Sequence, residues 1–367
     1  MTEYIYPKKK ICIIVDHPDR DLAGLVYLSE QIAFKNIDVI LVPMYFFHEV
    51  FLIKPDYLIV NHGRKEAKFS SGIDMLIKFS QENGIGIFVL DTEGGLNFEK
   101  IYKKNIHETI KKIDKYFLWG IKKKKLVKKE FKNKFIVSGN PKYDLYRLKN
   151  YKTKANLNFK KKSFKNYILI LTSFVNFIPI KGIKRDIEWF KKKKISPEFA
   201  NNYFKNSNND FKKSIDLIKF IISKNSKKKF ILRPHPFEDK DFYIDEFKDL
   251  KNVKIYNKGD IILYIQNAEL IINHNCQTSF EAVLAKKECI NISSISNQRT
   301  EVLNKITKNI STKKKLNKFI NIKQKISNLK QKKNITYNYI NNVKYNSSKI
   351  ILNEILSVKK KIKNKYS

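Results

Sequence analysis

Two short polar segments in the second half of the chain carry side chains suited to a phosphorylated ligand. Residues 233–236, Arg-Pro-His-Pro, follow the apolar run 230–232, and residues 273–282 follow the apolar run 270–272. Each run has the length of a buried strand, so each segment would lie at the carboxyl end of a parallel strand. Open α/β sheets bind their ligands at that edge. The sequence therefore predicts a phosphate or nucleotide site here.

The two prolines of segment 233–236 make it a stiff, extended loop, because they fix φ and disfavour helix at the residues before them. Such a loop would hold Arg233 and His235 out at the strand tip. An arginine can grip phosphate oxygens as a fork, and a histidine can donate to phosphate or act as a general acid. The alternative is a rigid turn in which Arg233 pairs with Glu238 or Asp239.

The second segment leads into a helical pattern at Thr278 and Ser279. Their hydroxyls could bind phosphate at the positive end of the helix, and His274 could donate to the same phosphate. Glu281 could accept hydrogen bonds from ribose hydroxyls. Helix capping by the two hydroxyls and a favourable first-turn charge for Glu281 are simpler interpretations, and both are compatible with ligand binding.

Loops after predicted strands in the first half carry further charged side chains. Asp91 and Glu93 precede a Gly-Gly pair, which would let a substrate approach closely, and either carboxylate is a candidate general base. Acids that only cap a turn or a helix are the alternative. Arg20 and Arg64 follow two other strands and are candidate contacts to an acceptor or to phosphate.

Cofactor and metal motifs are missing from the sequence. It contains neither a Walker A loop nor a G-x-G-x-x-G motif, which disfavours an ATPase or a nicotinamide enzyme. Asp16, His17 and Asp19 lack a second cluster that would complete a metal site, so we expect no metal and no cofactor. The three cysteines form no C-x-x-C pair, which fits a reducing compartment.

The composition indicates a two-domain cytoplasmic protein. The chain has 367 residues, of which 42% are apolar, and no apolar run approaches the roughly 18 residues that span a bilayer. Its net charge of +40 comes from 75 basic and 35 acidic residues. Lysine runs recur along the whole chain, so we interpret them as solvated surface. The alternatives are that the lysines attract the protein to the inner face of a membrane or, less favoured, to nucleic acid. No specific nucleic-acid partner is expected.

Only six of the basic residues are arginines, which makes each arginine informative. Where lysine is this abundant, an arginine is expected where its planar fork is needed for phosphate or carboxylate. Arg233 is the arginine that this reasoning singles out.

Short apolar runs alternate with helical patterns over residues 1–147, which is typical of βαβ units on a parallel sheet. Residues 148–166 are polar and lysine-rich and are interpreted as a linker, and a second alternating series occupies 167–299. Residues 300–367 are lysine-rich and helical in pattern and are expected to pack back across the domains. The sequence thus predicts an α/β protein with two Rossmann-like domains facing a cleft and a helical C-terminal segment.

The elements of this prediction can be stated residue by residue. Strands are expected at 11–15, 39–42, 57–60, 85–90, 116–119 and 135–137, and then at 167–171, 230–232, 253–256, 270–273 and 289–292. Helices are expected, among others, at 22–34, 73–82, 211–223, 261–267 and 279–285.

Several of these segments resemble motifs of a family of bacterial surface polysaccharide biosynthesis proteins with a glycosyltransferase-B-like architecture. Residues 15–22 resemble the family's opening acid and Arg-Glu-Leu segment, and 91–94 resemble its acidic Glu-Gly loop. Residues 117–120 and 138–144 resemble its Trp-Gly and Gly-Asn-Pro-Arg-x-Asp signatures. Lys142 stands where the family has arginine, which weakens a bidentate role at that position.

Segments 233–236 and 274–281 also resemble motifs of polyol-phosphate transferases of the CDP-glycerol type, in which the C-terminal domain holds the donor. The resemblance implies an enzyme that transfers a sugar or a polyol phosphate from a nucleotide sugar or CDP-polyol to a growing glycan or lipid-linked acceptor, in surface polysaccharide or lipopolysaccharide synthesis. It implies that the donor-binding residues are Arg233, His235, His274, Thr278, Ser279 and Glu281. The candidate catalytic residues are Glu93, Asp91 and His235. The candidate contacts to the acceptor or to phosphate are Arg20, Arg64 and Lys142.

Two other functions are kept open. A nucleotide-sugar epimerase on the same architecture would act on the donor without an acceptor. A basic protein that binds membranes or nucleic acid without catalysis would owe its affinity to the lysines, and that affinity would fall steeply with salt.

Overall fold

The computed structural model describes residues 8–63, 70–92, 107–148, 166–175, 177–179, 196–256, 258–294, 298–322 and 326–358. The chain divides into two compact units. The first unit consists of Met1–Tyr151 and Thr336–Ser367, and the second consists of Lys152–Ile335. The linker proposed at 148–166 lies almost wholly outside the described residues, so its boundaries stay a prediction.

The first unit is built on a parallel sheet. Its described strands are Lys10–Val15 (β1), Asp38–Pro43 (β2), Tyr57–Val60 (β3), Gly86–Leu90 (β4), Lys115–Leu118 (β5) and Phe135–Val137 (β6). They lie in the order β2-β1-β3-β4-β5-β6, and each neighbouring pair is parallel. The order reverses between β1 and β3, which is where such sheets open a crevice for ligands.

Helices cover both faces of this sheet. They are Ala23–Ala33 (α1), Glu49–Ile53 (α2), Ser70–Glu82 (α3), His107–Lys112 (α4), Ile121–Lys124 (α5) and Pro141–Asp144 (α6). The strands are apolar on both faces, as expected for a parallel sheet that is covered twice. One apolar core lies against α2 and α3, and the other lies against α1 and includes Ile351 and Ile355 from the end of the chain.

The second unit repeats the architecture with another strand order. Its described strands are Tyr167–Leu171 (β7), Phe230–Arg233 (β8), Val253–Ile255 (β9), Ala268–Asn273 (β10), Cys289–Asn291 (β11) and Lys308–Asn309 (β12). They form a parallel sheet in the order β12-β11-β10-β7-β8-β9. This is a doubly wound order whose reversal falls between β7 and β10.

The helices of the second unit follow in chain order. They are Pro197–Lys224 (α7), Lys240–Glu246 (α8), Ile261–Asn267 (α9), Thr278–Leu284 (α10), Gln298–Asn304 (α11), Lys313–Ile320 (α12) and Leu329–Tyr337 (α13). None of the helices in the described parts of the chain has both the length and the apolar character needed to cross a membrane.

The C-terminal residues are shared between the units. Residues 300–335 belong to the second unit, where β12 adds a short strand to the sheet in a stretch whose pattern predicts only helix. The last described helix, Ser347–Ser357 (α14), belongs to the first unit. Asp144 anchors it by accepting hydrogen bonds from the backbone nitrogens of Ser347 (2.9 Å) and Ser348 (2.8 Å).

Candidate functional site

Three loops meet at the carboxyl edge of the second sheet, beside the reversal of strand order. They follow β7, β8 and β10. The last backbone hydrogen bonds between these strands run from the Thr172 nitrogen to the Arg233 carbonyl and from the His274 nitrogen to the Leu171 carbonyl. Both segments that the sequence singles out therefore lie at this edge, as predicted. The loop after β7 lies between them, and the sequence pattern had given it no role.

Arg233 is buried, with 6% of its surface exposed. Its guanidinium donates to the carbonyls of Lys258 (2.9 Å) and Gly259 (2.6 Å) and lies over the ring of Tyr264, 4.6 Å from its centre. These acceptors are backbone oxygens of the loop before α9, not the acidic side chains considered as the alternative. Arg233 thus holds that loop in place, and its predicted contact to phosphate is a proposal.

Glu238 connects the loop after β8 to the loop after β7. Its buried carboxylate accepts hydrogen bonds from the Thr172 hydroxyl (2.5 Å), the Tyr243 hydroxyl (2.8 Å), the His235 backbone nitrogen (3.2 Å) and the Phe174 backbone nitrogen. Burial raises the pKa of Glu238, and these donors act in the opposite direction. The network fixes the backbone from which the His235 side chain projects.

His235 is partly buried. Its Nδ1 accepts a hydrogen bond from the Phe237 backbone nitrogen at 3.3 Å, and the two rings lie 5.6 Å apart. The backbone contact orients the imidazole relative to the strand end.

His274 directly follows β10 and forms a buried pair with Asp210. The His274 Nε2 atom lies 2.5 Å from the Asp210 Oδ2 atom, and the imidazole lies against the ring of Phe174 with centres 4.1 Å apart. The histidine has 6% of its surface exposed. Its other ring nitrogen, Nδ1, is buried and has no hydrogen-bond partner among the described residues.

Asp210 lies in the middle of α7 and was missed by the sequence analysis. Besides His274, it accepts hydrogen bonds from the Ser293 hydroxyl (3.1 Å) and from the Ser294 backbone nitrogen (2.5 Å) and hydroxyl (2.7 Å). Burial alone would raise the pKa of Asp210, but the contacts with His274 and Ser294 outweigh it and lower the pKa overall. Asp210 is therefore a buried carboxylate that stays charged.

The start of α10 is organised by Asn273. Its side-chain nitrogen donates to the hydroxyls of Ser279 (2.8 Å) and Thr278 (3.3 Å), and its side-chain oxygen accepts from the Cys276 nitrogen (2.9 Å). Ser279 is fully buried, Thr278 is partly exposed, and Glu281 is buried with 1% of its surface exposed. The hydroxyls that were predicted to bind phosphate thus also shape the loop.

In the first unit, the loop after β1 contains an arginine paired with two carboxylates, and the loop after β4 donates a hydrogen bond to one of them. Arg20 pairs with Asp16 and with Asp21, the latter at 3.1 Å, and the Thr92 hydroxyl donates to Asp16 at 3.4 Å. Burial raises the pKa of Asp21, against the lowering influence of Arg20 and Lys142. Arg20 therefore uses its fork on carboxylates of its own chain.

Asp91, a candidate base, is completely buried. Its carboxylate accepts a hydrogen bond from the Tyr116 hydroxyl at 2.9 Å, and its backbone carbonyl accepts one from the Trp119 indole nitrogen at 2.5 Å. The Trp-Gly signature thus supports the end of β4. The other two candidates of this edge, Glu93 and Arg64, lie outside the described residues.

Lys142 is the second residue of the short helix α6, which approaches α1 closely. The Asn140 side chain caps α6 by accepting from the Lys142 nitrogen at 3.0 Å, and Pro141 occupies the first turn, where its missing N–H does no harm. The Lys142 ammonium lies 5.2 Å from the centre of the Tyr143 ring. A Cβ on Gly24 would lie 2.4 Å from the Lys142 nitrogen, so this contact requires glycine.

Among the described residues, no group of three or more His, Cys, Asp or Glu side chains is placed to hold a metal ion.

No family model matches the chain, and no curated protein matches it. Solved structures do. The UDP-GlcNAc 2-epimerase of Methanocaldococcus jannaschii in complex with UDP-GlcNAc and UDP is 17% identical, with a TM-score of 0.59 over 95% of this chain and 99% of that one.

Two transferases are similar over the same extent. The wall teichoic acid polymerase TagF, soaked with CDPG, is 12% identical with a TM-score of 0.57 over 96% of this chain and 88% of its own. A glycosyltransferase from Rickettsia africae is 12% identical with a TM-score of 0.51 over 96% and 100% of the two chains. At these identities the likeness concerns the fold. The chain has the two-domain α/β fold of the glycosyltransferase-B class, which confirms the predicted fold class.

Proposed function

We propose that this protein is an enzyme that acts on a nucleotide-activated sugar or polyol. The leading candidate is a transferase that moves the sugar or polyol phosphate to a growing glycan or lipid-linked acceptor during surface polysaccharide synthesis, on the cytoplasmic side of the membrane. Its fold supports this class, since structures of the same fold include a UDP-GlcNAc 2-epimerase, a wall teichoic acid polymerase and a glycosyltransferase.

The observation that carries the proposal is the buried Asp210–His274 pair at the strand reversal of the second sheet. Two ionisable side chains with 2% and 6% of their surfaces exposed are an expensive feature of a core, because taking an ionisable group out of water costs free energy unless it is paired and hydrogen-bonded. Perturbed ionisable groups cluster at functional sites, and this one lies where doubly wound sheets bind nucleotides.

The individual residues have proposed roles, which are those predicted from the sequence. In the second unit, His235 and Arg233 are proposed to lie near the diphosphate and Glu281 near the ribose, with Thr278 and Ser279 at the start of α10. Positive charge and fixed donors at such a place stabilise a leaving phosphate as its charge develops. Glu93, Asp91 and His235 are the proposed catalytic groups, and Arg20, Arg64 and Lys142 are the proposed contacts to the acceptor or to phosphate.

An epimerase is the second candidate. It is favoured by one specific observation, the similarity to UDP-GlcNAc 2-epimerases over nearly the whole chain. An epimerase converts a nucleotide sugar with no acceptor present, whereas a transferase needs one. Incubating the protein with UDP-GlcNAc alone, and then with added lipid-linked glycan, separates the two: an epimeric product in the first reaction identifies an epimerase.

Binding of the nucleotide is the first prediction to test. We expect at least one nucleoside diphosphate, among UDP, CDP, GDP and ADP, or one of their sugar or glycerol conjugates, to raise the melting temperature. The variant His235→Gln should bind that nucleotide about ten- to a hundredfold more weakly, since a hydrogen bond to a charged group contributes roughly 1.5–3 kcal/mol. Isothermal titration calorimetry measures the affinities.

His48→Gln is the matched control, because His48 is an exposed histidine of the first unit. It should bind as the wild type does. If none of these nucleotides stabilises the wild-type protein, the proposed function is wrong.

A further inference from the structure

The two ring nitrogens of His274 have different surroundings. Nε2 lies 2.5 Å from an Asp210 oxygen, whereas Nδ1 is buried without a hydrogen-bond partner among the described residues. A buried polar atom without a partner is rare in folded proteins and calls for an explanation. A ligand that bonds to Nδ1 would supply it.

The surroundings of Asp210 determine which nitrogen carries hydrogen. Its Oδ1 accepts from the backbone nitrogen (2.5 Å) and the hydroxyl (2.7 Å) of Ser294, and its Oδ2 faces the Ser293 hydroxyl (3.1 Å) and His274. An ionised carboxylate only accepts hydrogen bonds, so Nε2 must donate. In a neutral imidazole the other nitrogen then carries a lone pair. Nδ1 of the neutral ring is therefore an acceptor.

The acceptor character of Nδ1 restricts what can lie beside it. A phosphate oxygen also carries lone pairs and would face those of the neutral ring without a hydrogen between them. A hydroxyl group can donate into Nδ1 and complete its hydrogen bonding. Contact with the Phe174 ring, which is tilted by 38° with ring centres 4.1 Å apart, limits rotation of the imidazole and fixes the direction of this bond.

We propose that Asp210 is a positioning residue that fixes the His274 tautomer, so that Nδ1 accepts a hydrogen bond from a hydroxyl group of the bound nucleotide's ribose or sugar. This inference rests on the proposed function and refines it, because it assigns His274 to a hydroxyl where the sequence analysis assigned it to a phosphate. Asp210 itself would touch no substrate.

The tautomer can be measured without any ligand. In wild-type protein labelled with 15N at histidine, we expect hydrogen on Nε2 and none on Nδ1 of His274. In Asp210→Asn, the amide oxygen must stay with the Ser294 N–H, which can only donate, so the amide NH₂ faces Nε2. The hydrogen should then move to Nδ1.

The affinities for three nucleotides test whether a ligand hydroxyl bonds to Nδ1 of His274. If the ribose supplies the hydroxyl, wild type should bind 2′-deoxy-UDP about tenfold more weakly than UDP. If the sugar supplies it, wild type should bind UDP-GlcNAc about tenfold more tightly than UDP. The reason is that one such hydrogen bond is worth about 1 kcal/mol or more. The same probes with a cytidine base cover a CDP donor. Asp210→Asn should lose this discrimination. Asp216→Asn, an exposed aspartate on the same helix, should retain it.

Each outcome has a distinct meaning. Hydrogen on Nδ1 in the wild type overturns the proposal, and this measurement needs no variant, so it holds even if Asp210→Asn fails to fold. An inverted tautomer with unchanged probe discrimination also overturns it. Absence of binding by every nucleotide refutes the proposed function and the hydroxyl contact together, whereas binding with no preference among the probes refutes only the contact.

Discussion

At the scale of the residue, arginine in this lysine-rich chain is used where its planar fork is needed. Arg20 pairs with two carboxylates, Arg233 bonds two backbone carbonyls, and Arg147 donates to the Asn342 carbonyl at 3.1 Å. A lysine would offer one point charge in place of two parallel donors. These partners of the three arginines belong to the protein itself, so the expectation that an arginine marks a contact to a phosphate ligand stays a prediction.

The lowered pKa of Asp210 predicts how stability depends on pH. Asp210 keeps its charge in the folded protein to a lower pH than its ordinary value of 3.8, which applies in the unfolded chain. The unfolded chain then binds more protons in this interval, so stability rises with pH there. The stabilisation by Asp210 is complete above pH 3.8 and is lost as the pH falls through the lowered value.

Asp210→Asn should remove this dependence. Because the amide replaces hydrogen bonds to a charged carboxylate with neutral ones, we expect a loss of about 1–3 kcal/mol in the free energy of unfolding at pH 7. The difference from wild type should shrink as the pH falls below 3.8 and through the lowered pKa of Asp210. Urea titrations at several pH values measure it, and a difference that grows on acidification would contradict the assigned charge.

At the scale of the element, the strands were the most predictable part of the chain. Strands β3, β6 and β7 have the predicted bounds, because continuous apolar runs between polar breaks define buried parallel strands. Helix α7 was predicted from residue 211 but begins at Pro197, since its first turns carry mostly polar residues without a clear apolar stripe.

The same polar turns explain why the sequence did not reveal Asp210. Its partner His274 is 64 residues further along the chain, and a contact at that distance leaves no local pattern. The sequence could place the two loops at the sheet edge, because strand ends follow from the apolar runs. It could not give side-chain partners such as Glu238 with Thr172, which depend on the tertiary packing of neighbouring strands.

The contact between helices α1 and α6 yields a prediction about packing. Gly24→Ala would put a Cβ 2.4 Å from the Lys142 nitrogen and 2.5 Å from its Cα, so the backbones must separate. Overpacking of this kind costs about 1–3 kcal/mol, more than the gain of up to about 1 kcal/mol from the better helix propensity of alanine. We expect a lower midpoint of urea unfolding.

Glu30→Ala serves as the control for this helix, because Glu30 is exposed on α1. It should leave the midpoint nearly unchanged. Stabilisation by Gly24→Ala would mean that a methyl group fits between α1 and α6, which contradicts the close approach of Gly24 to the Lys142 backbone.

At the scale of the whole molecule, the first unit is completed by the end of the chain. Its apolar core includes Ile351, Leu352 and Ile355 of α14, and its Trp-Gly and Gly-Asn-Pro signatures contact Asn341 and Asn342, shortly before that helix. The Trp119 carbonyl accepts from the Asn341 nitrogen at 2.6 Å, and the Asn140 nitrogen donates to the Asn342 side chain at 2.9 Å. These two signatures are therefore explained in large part by structure.

Asp144→Asn should weaken the attachment of α14 to the rest of the first unit. Both carboxylate oxygens accept a backbone N–H, from Ser347 and from Ser348, and an amide can serve only one of them. We expect a loss of about 1–3 kcal/mol, the usual cost of a buried donor without a partner. Hydrogen exchange should show faster exchange in α14 first.

Ser348→Ala is the matched control, since it removes only the hydroxyl bond to Asp144 (2.9 Å) and keeps the backbone bond. Its effect should be smaller, about 0.5–1.5 kcal/mol. Equal exchange rates in α14 for Asp144→Asn and wild type would show that Asp144 does not hold the helix.

The return of the chain to the first unit has a consequence for its synthesis on the ribosome. When Met1–Tyr151 has emerged, the core face that α14 covers is still open, and the whole second unit must be translated before residues 336–358 appear. At 5–20 residues per second, that interval lasts roughly ten to forty seconds. The nascent N-terminal half must therefore stay soluble with one apolar face uncovered, and the second unit is complete before the first.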